Sequence, residues 1–566
     1  MLERLLEHWL DSVNERSYQA AFCQLLAAQG YRIIHSTRHM PLEFGKDIIA
    51  IGPDGILCAF QLKGNPGSRL TLAQFREIAP QLNELVTQRI VFPGMPNSPH
   101  RSYLVTNGMI EEEVQRAIDD FNQRLVGLGF PEDQQLRVIY RGEFLNWLIR
   151  FGSSIWPIEI SPMNALLETL VSEGSGLYPL SNLDKILKGI LGLNETKDIR
   201  SAAALRQRIF SGAVMTAITL TAFEKKNNHY ALITAWTLFA AYVHGACDRY
   251  GYSYKNGEQA VKIARGAIYF YLRNTADEIR NRIEKLQKNV SNTDRLSLFR
   301  MALIEPGGMC DFIGASARMV LVTGLLSLFW LWCEDEGWPN EGIKKAIENF
   351  FPVPMSGLNF WGEGALPQLL IHLWHWQKMN ATQAPDYTIA HILGQILQQA
   401  TGTKSEGMPS PYYSYEDVTR HIYRKFLSKQ PDKLERESFK NSSFVAEGVL
   451  HLLVRTNLKT LCKIHWPAFT HILGNEFHPK ERWQFCLLEC KNGKTISTQY
   501  APTKKWDDLK TDARSIACPA IPPTMLDDHY MLMLFAIILP HRFSPAVIRY
   551  LGYKFSDVWF LEPPIH

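Results

Sequence analysis

From residue 1 to about 155 the chain switches repeatedly between helical apolar spacing and short apolar runs. Tyr18, Phe22, Leu25, Leu26 and Gln29 recur at helical spacing and stop at Gly30, which predicts a helix over 18–29. Residues 31–35 then read as a strand. The runs 47–51 and 56–62 are separated by Gly52-Pro53-Asp54-Gly55, a hairpin signature. A helix from Leu72, a strand over 102–106 ended by Asn107-Gly108, a strand over 137–140 and a helix over 143–150 complete the alternation. Such a pattern predicts an α/β domain over 1–155, a mixed sheet flanked by helices.

Beyond Pro162 the pattern becomes helical throughout, interrupted by loops at 173–176, 305–308 and 401–407. This predicts a large mainly α-helical region over 156–480, for which a role as sensor or in substrate recognition is expected from architecture analogy alone. No fixed-period repeat supports a solenoid. Near the end, 483–489 and 495–500 flank Lys491-Asn492-Gly493-Lys494, whose Asn-Gly suits a type I′ turn. A β-hairpin is therefore expected within a small α/β C-terminal region, 481–566. The apolar stretches 230–247 and 319–333 approach membrane-span length. The second falls short of about 18 residues and the first carries His244, so both read as buried helices.

Composition changes this picture little. With 46% hydrophobic and 20% charged residues in 566, there is ample material for large cores. A net charge of +4 is too small to attract a polyanion by bulk electrostatics, so any such surface must be local. The nine cysteines form no CxxC pair, which suits a reducing compartment. The opening MLERLLEHWLDSVNER is charged and amphipathic, unlike a secretory signal. A cytoplasmic protein with no membrane partner is expected.

The first hairpin carries the chemistry. Pro53, Asp54 and Gly55 suit a three-residue loop closed by Gly52 and Ile56, and counting back from that closure pairs Asp47 with Gln61. Side chains alternate along a strand, so Asp47, Gln61 and Lys63 share one face. Phosphodiester hydrolysis needs a hard cation and positive charge near the attacking water. Asp47 can supply one oxygen ligand for Mg²⁺ and the Gln61 carbonyl a second, and Lys63 is placed to orient or deprotonate water. Taken singly, Asp47 is a residue opening a strand and Lys63 a solvated strand end. Only their joint register points to a site.

The stretch FGKDIIA, a Gly-bearing turn and CAFQLKG resemble the core of Mrr-like restriction endonucleases of the PD-(D/E)xK superfamily. The resemblance extends to Gly30-Tyr31, to YLVTNG at 103–108 and to VIYRGEFLNWLI, about a quarter of the chain. It implies a restriction-endonuclease-like sandwich, Mg²⁺ as cofactor with Mn²⁺ able to substitute, and cleavage of DNA. The family often has Glu in its first helix. Here Gln19 aligns with that position, and Glu15 lies one turn earlier on the same helix face.

The architecture suggests a restriction or antiviral defence effector, working with other defence subunits or as a homo-oligomer, by analogy alone. One rival reading is a degenerate nuclease fold used as a binding module, with Gln19 and Gln61 marking lost ligands. Another is a membrane-associated effector using the helices at 210–247. The basic, aromatic stretch at 420–440 offers Arg424, Lys425 and Lys429 for a phosphate backbone. His372 and His375 sit at i and i+3 without a local Cys, Asp or Glu, and read as part of a packed helix. His465, His471, His478 and the pair Cys486 and Cys490, expected on one strand face, are also taken as structural.

Overall fold

The computed structural model describes residues 2–36, 46–90, 99–152, 160–194, 199–289, 295–304, 312–338, 361–379, 385–401, 408–420, 441–490 and 493–556. They form two compact units, Met1–Tyr271 and Leu272–His566.

The first unit opens with helices α1 (Leu2–Ser12) and α2 (Glu15–Ala28), followed by strands β1 (Arg32–His35), β2 (Ile48–Ile51), β3 (Leu57–Lys63) and the short β4 (Arg69–Leu70). Next come α3 (Leu72–Thr87), β5 (Arg101–Thr106), β6 (Met109–Ile110), α4 (Glu112–Gly127), β7 (Leu136–Ile139) and α5 (Arg141–Gly152). The main sheet has the order β1-β2-β3-β5-β7. Its first two pairings are antiparallel and the next two parallel, the mixed sheet expected from the pattern.

Local chemistry starts several of these elements. The Asn14 side chain accepts from Ser17 N and caps α2. Thr71 and Gln74 form a capping box at α3. Gly55, at φ +81°, supplies the left-handed residue the hairpin loop needs, and Gly52 N donates to Ile56 O at 2.8 Å. The closure between Gly52 and Ile56 read from the sequence is therefore the observed one.

Strand alternation divides the packing. Ile49, Leu57, Ala59 and Leu104 join one core with Phe75, Leu82 and Leu85 of α3 and Val114 and Ile118 of α4. On the opposite face Phe60 meets Phe22 of α2 at 5.8 Å between ring centroids, and Phe22 meets Phe144 of α5 at 5.3 Å. Fully burying a Phe such as Phe22 contributes about 2–3 kcal/mol.

The unit does not stop at 155. Helices α6 (Ile160–Leu170), α7 (Leu180–Leu191), α8 (Ala202–Thr219), α9 (Thr221–Lys225), α10 (His229–Tyr250) and α11 (Glu258–Asn289) follow, the last crossing the limit of the unit. α8 packs along α2, Trp9 Nε1 donates to Thr221 Oγ1 at 2.8 Å, and Gln24 Nε2 donates to Ala260 O at 3.1 Å. The helical layer thus shares a core with the sheet.

The second unit is mainly helical. Helix Phe312–Glu336 packs on Leu366–Met379, and Ala446–Arg455 packs on Trp506–Arg514 and Pro545–Phe555. Its small sheet joins β8 (Ser442–Ser443), β9 (Leu473–His478) and β10 (Lys494–Gln499) in the order β10-β9-β8. Here the sequence reading needs correction. The antiparallel partner of β10 is β9, whereas Arg482–Cys486 is a 3-10 turn, so Cys486 and Cys490 do not share a strand face. Helices His229–Tyr250 and Gly314–Glu336 are long and apolar enough to cross a membrane, but 94% and 89% of their apolar windows are buried within the protein.

Candidate functional site

Asp47 precedes β2 by one residue. Its N–H donates to Phe60 O at 2.9 Å and extends the ladder whose first registered pair is Ile48 with Phe60. Asp47 therefore lies opposite Gln61. Because Leu57 and Ala59 point into the α3 and α4 core, Gln61 and Lys63 point to the same side. Contacts agree with that geometry. Gln61 Nε2 donates to Asp47 Oδ2 at 2.9 Å, Leu62 N donates to the same oxygen at 2.6 Å, and Lys63 Nζ donates to Gln81 Oε1 of α3 at 3.0 Å.

Gln61 is only 4% exposed, and its Oε1 has no hydrogen-bond partner among the described residues. An unsatisfied buried acceptor costs about 1–3 kcal/mol and calls for an explanation. A hard cation beside Asp47 would be one, since an amide carbonyl and a carboxylate are both oxygen donors it accepts. The residues present fit Mg²⁺ in that sense.

The two first-helix candidates lie in different places. Glu15 opens α2 at the end of β3: a Cβ added to Gly64 would come within 2.8 Å of Glu15 N. The Tyr18 hydroxyl fixes that approach by donating to Lys63 O at 3.0 Å. Glu15 thus stands at the strand end that carries Lys63. Gln19 instead lines a cleft with Arg16, Ser36, Glu224 and Tyr271, and none of Asp47, Gln61 and Lys63 lines it. Arg424, Lys425 and Lys429 lie outside the described residues.

One neighbour escaped the sequence reading. Lys46 is buried beside Asp47 and its Nζ donates to Glu84 O of α3 at 3.4 Å. Burial pushes its pKa down to about 8, against the pull of the Glu84 carboxylate. A lysine inside the run GKDII was the available signal, but period alone cannot tell a buried lysine from a solvated one. Its neighbour His100 is held by Leu85 O at 2.7 Å, and burial lowers its pKa.

The paired histidines of helix Leu366–Met379 are buried. His372 Nδ1 lies 3.1 Å from Ser327 Oγ, and the His375 ring meets Trp330 edge-on at 4.7 Å between centroids. Burial lowers both pKa values, that of His372 to about 4. Among the described residues no group of three or more His, Cys, Asp and Glu side chains is arranged to hold a metal ion. His478 is bound to Glu476 at 3.1 Å.

Compared with known proteins, the chain matches no family model, no curated protein and no solved structure.

Proposed function

We propose that the first unit is a metal-dependent endonuclease that cuts DNA, as expected of a restriction or defence effector. The observation that supports it is the convergence of Asp47, Gln61 and Lys63 on one face of two paired strands, with Gln61 Oε1 buried and without a partner among the described residues. Asp47 and Gln61 would hold Mg²⁺, which when bound polarises the phosphate and makes water a better nucleophile at neutral pH. Lys63 supplies positive charge beside the developing oxyanion, and Gln81 steadies its long side chain. Leu62 N, donating to Asp47 Oδ2, fixes the carboxylate relative to the strand. Tyr18 and Gly64 bring the start of α2, with Glu15, to the strand end that carries Lys63.

A second reading is a nuclease fold that retains binding alone. It is favoured by the Gln61 to Asp47 hydrogen bond, which already satisfies part of the carboxylate without a cation. Incubation of the purified protein with plasmid DNA separates the two. Cleavage is expected with Mg²⁺ or Mn²⁺, lost with chelator, and lost in Lys63→Ala and Asp47→Asn. Absence of cleavage by the parent with either metal, or parental activity in either variant, would refute the nuclease reading.

A further inference from the structure

Strand β10 forms one edge of the small sheet of the second unit, whose order is β10-β9-β8. One face of the ribbon is held by the body of the unit. The Arg542 guanidinium carbon lies 3.4 Å from the Phe477 ring centroid, the His541 ring meets the same ring edge-on, and the Tyr412 hydroxyl lies 3.5 Å from Thr495 Oγ1. Just past the end of β10 the Tyr500 hydroxyl donates to Glu447 Oε2 at 2.6 Å. The strand is thus fixed in place, yet all six of its residues are exposed. We infer that its open edge pairs antiparallel with the β10 edge of a second copy of the chain, about a twofold axis at Ile496.

The edge is open and unguarded. Every second residue of an antiparallel edge strand directs its N–H and C=O away from its partner. Among the described residues, none of 494–499 makes a backbone hydrogen bond outside the ladder with β9. Sheet edges that stay single are commonly guarded by bulges, prolines or charges that keep other strands off. β10 lacks these devices. Its register with β9 runs without a break from Lys494 to Gln499, it contains no proline, and its one charge, Lys494, sits at its first position. Thr495, Ile496 and Thr498 are β-branched and favour the extended strand.

The sequence of β10 also fits itself. Opposed residues of an antiparallel pair project to the same face, so the axis of a self-paired strand must pass through a residue position. An axis at Ile496 sets Ile496 against Ile496 of the copy, Thr495 against Ser497, and Lys494 against Thr498. Ile496, 46% exposed, is then covered by its counterpart, hydroxyl faces hydroxyl, and no like charges stand opposite. Glu476, which faces Ile496 across the ribbon, would lie three strand spacings, about 14 Å, from its own counterpart, beyond the screening length at physiological salt. An axis at Ser497 would set the isoleucine against Thr498 instead, which covers it with a smaller and more polar group. Beyond Lys494 the strand offers no charge to select an acidic or basic strand from another protein, whereas its own sequence answers it residue by residue. A contact confined to one strand is small, so the dimer is weak and depends on concentration.

The test is sedimentation velocity of the full-length protein from low micromolar to its highest soluble concentration, a readout that does not depend on catalysis. The parent should pass from one chain to two. Ile496→Lys puts two ammonium groups across the axis and should weaken association at least about tenfold, with thermal melts showing the fold unchanged. Ile496→Val keeps a β-branched apolar side chain and should associate as the parent does. Under mild oxidation Ile496→Cys should give a covalent dimer above the background set by the parent's own cysteines. Lys494→Cys should not, because its counterpart lies four residues, about 13 Å, along the strand. A protein that stays single throughout overturns the inference, and that is the outcome expected if the edge instead takes a strand from a different protein. A dimer unmoved by Ile496→Lys, or cross-linked through 494 rather than 496, overturns it as well.

Discussion

Gln61 decides between an active and a degenerate site, and its surroundings let the effect of Gln61→Leu be worked out. The substitution removes one hydrogen bond to a carboxylate, from Nε2 to Asp47 Oδ2 at 2.9 Å, worth about 1.5–3 kcal/mol. It also removes the buried, unpartnered Oε1, which relieves about 1–3 kcal/mol. The two nearly cancel. Leu has similar volume, so the net change should stay within about 1.5 kcal/mol. For a unit of this size that is a shift of only a few degrees in Tm. Cleavage, by contrast, should be lost at ordinary Mg²⁺, because the proposed oxygen ligand is gone. Gln61→Glu keeps an oxygen there and adds charge next to Asp47. Without metal it should be the less stable variant, since two carboxylates then share a buried site. With metal it should recover, so its Tm should rise more with added Mg²⁺ than that of the parent. Supercoiled-plasmid cleavage against Mg²⁺ concentration, run beside thermal melts, reads both effects. If Gln61→Leu cuts as well as the parent at the same Mg²⁺ midpoint, Gln61 is no ligand and the proposed site is wrong.

Two further outcomes are expected. His372→Ala with His375→Ala should lower stability by several kcal/mol through lost packing, with no change in bound metal. Loss of a stoichiometric ion by elemental analysis would contradict that. Glu363 is fully buried and its pKa is raised to about 7, so the folded state holds its proton to higher pH than the unfolded chain does. Its contribution is therefore complete below the ordinary glutamate value and is lost as pH rises through about 7. The loss is on the order of 3 kcal/mol. Glu363→Gln keeps an acceptor for Phe444 N and should flatten this limb of the stability profile, which denaturant melts at pH 4.5, 6 and 8 would detect.

The sequence by itself determined what depends on neighbours along the chain. Pro53, Asp54 and Gly55 set the hairpin closure, and the closure set the register that puts Asp47 opposite Gln61, because a two-residue period leaves no freedom once the turn is fixed. Asn14 and Thr71 mark the starts of α2 and α3 for the same local reason. Tertiary structure decided the rest. Asn492-Gly493 favoured a tight turn, yet β10 found its partner in 473–478, a pairing that pays only a slowly growing loop-closure cost. The change of pattern near residue 155 suggested a boundary, but α8 lies along α2 and carries the first compact unit on to Tyr271. An apolar helix face shows that it must be covered, not by what. Burial of Lys46 against Glu84, and the turning of Gln19 into a cleft away from Asp47, follow from helices brought in from distant parts of the chain. Such contacts have no period in the sequence to announce them.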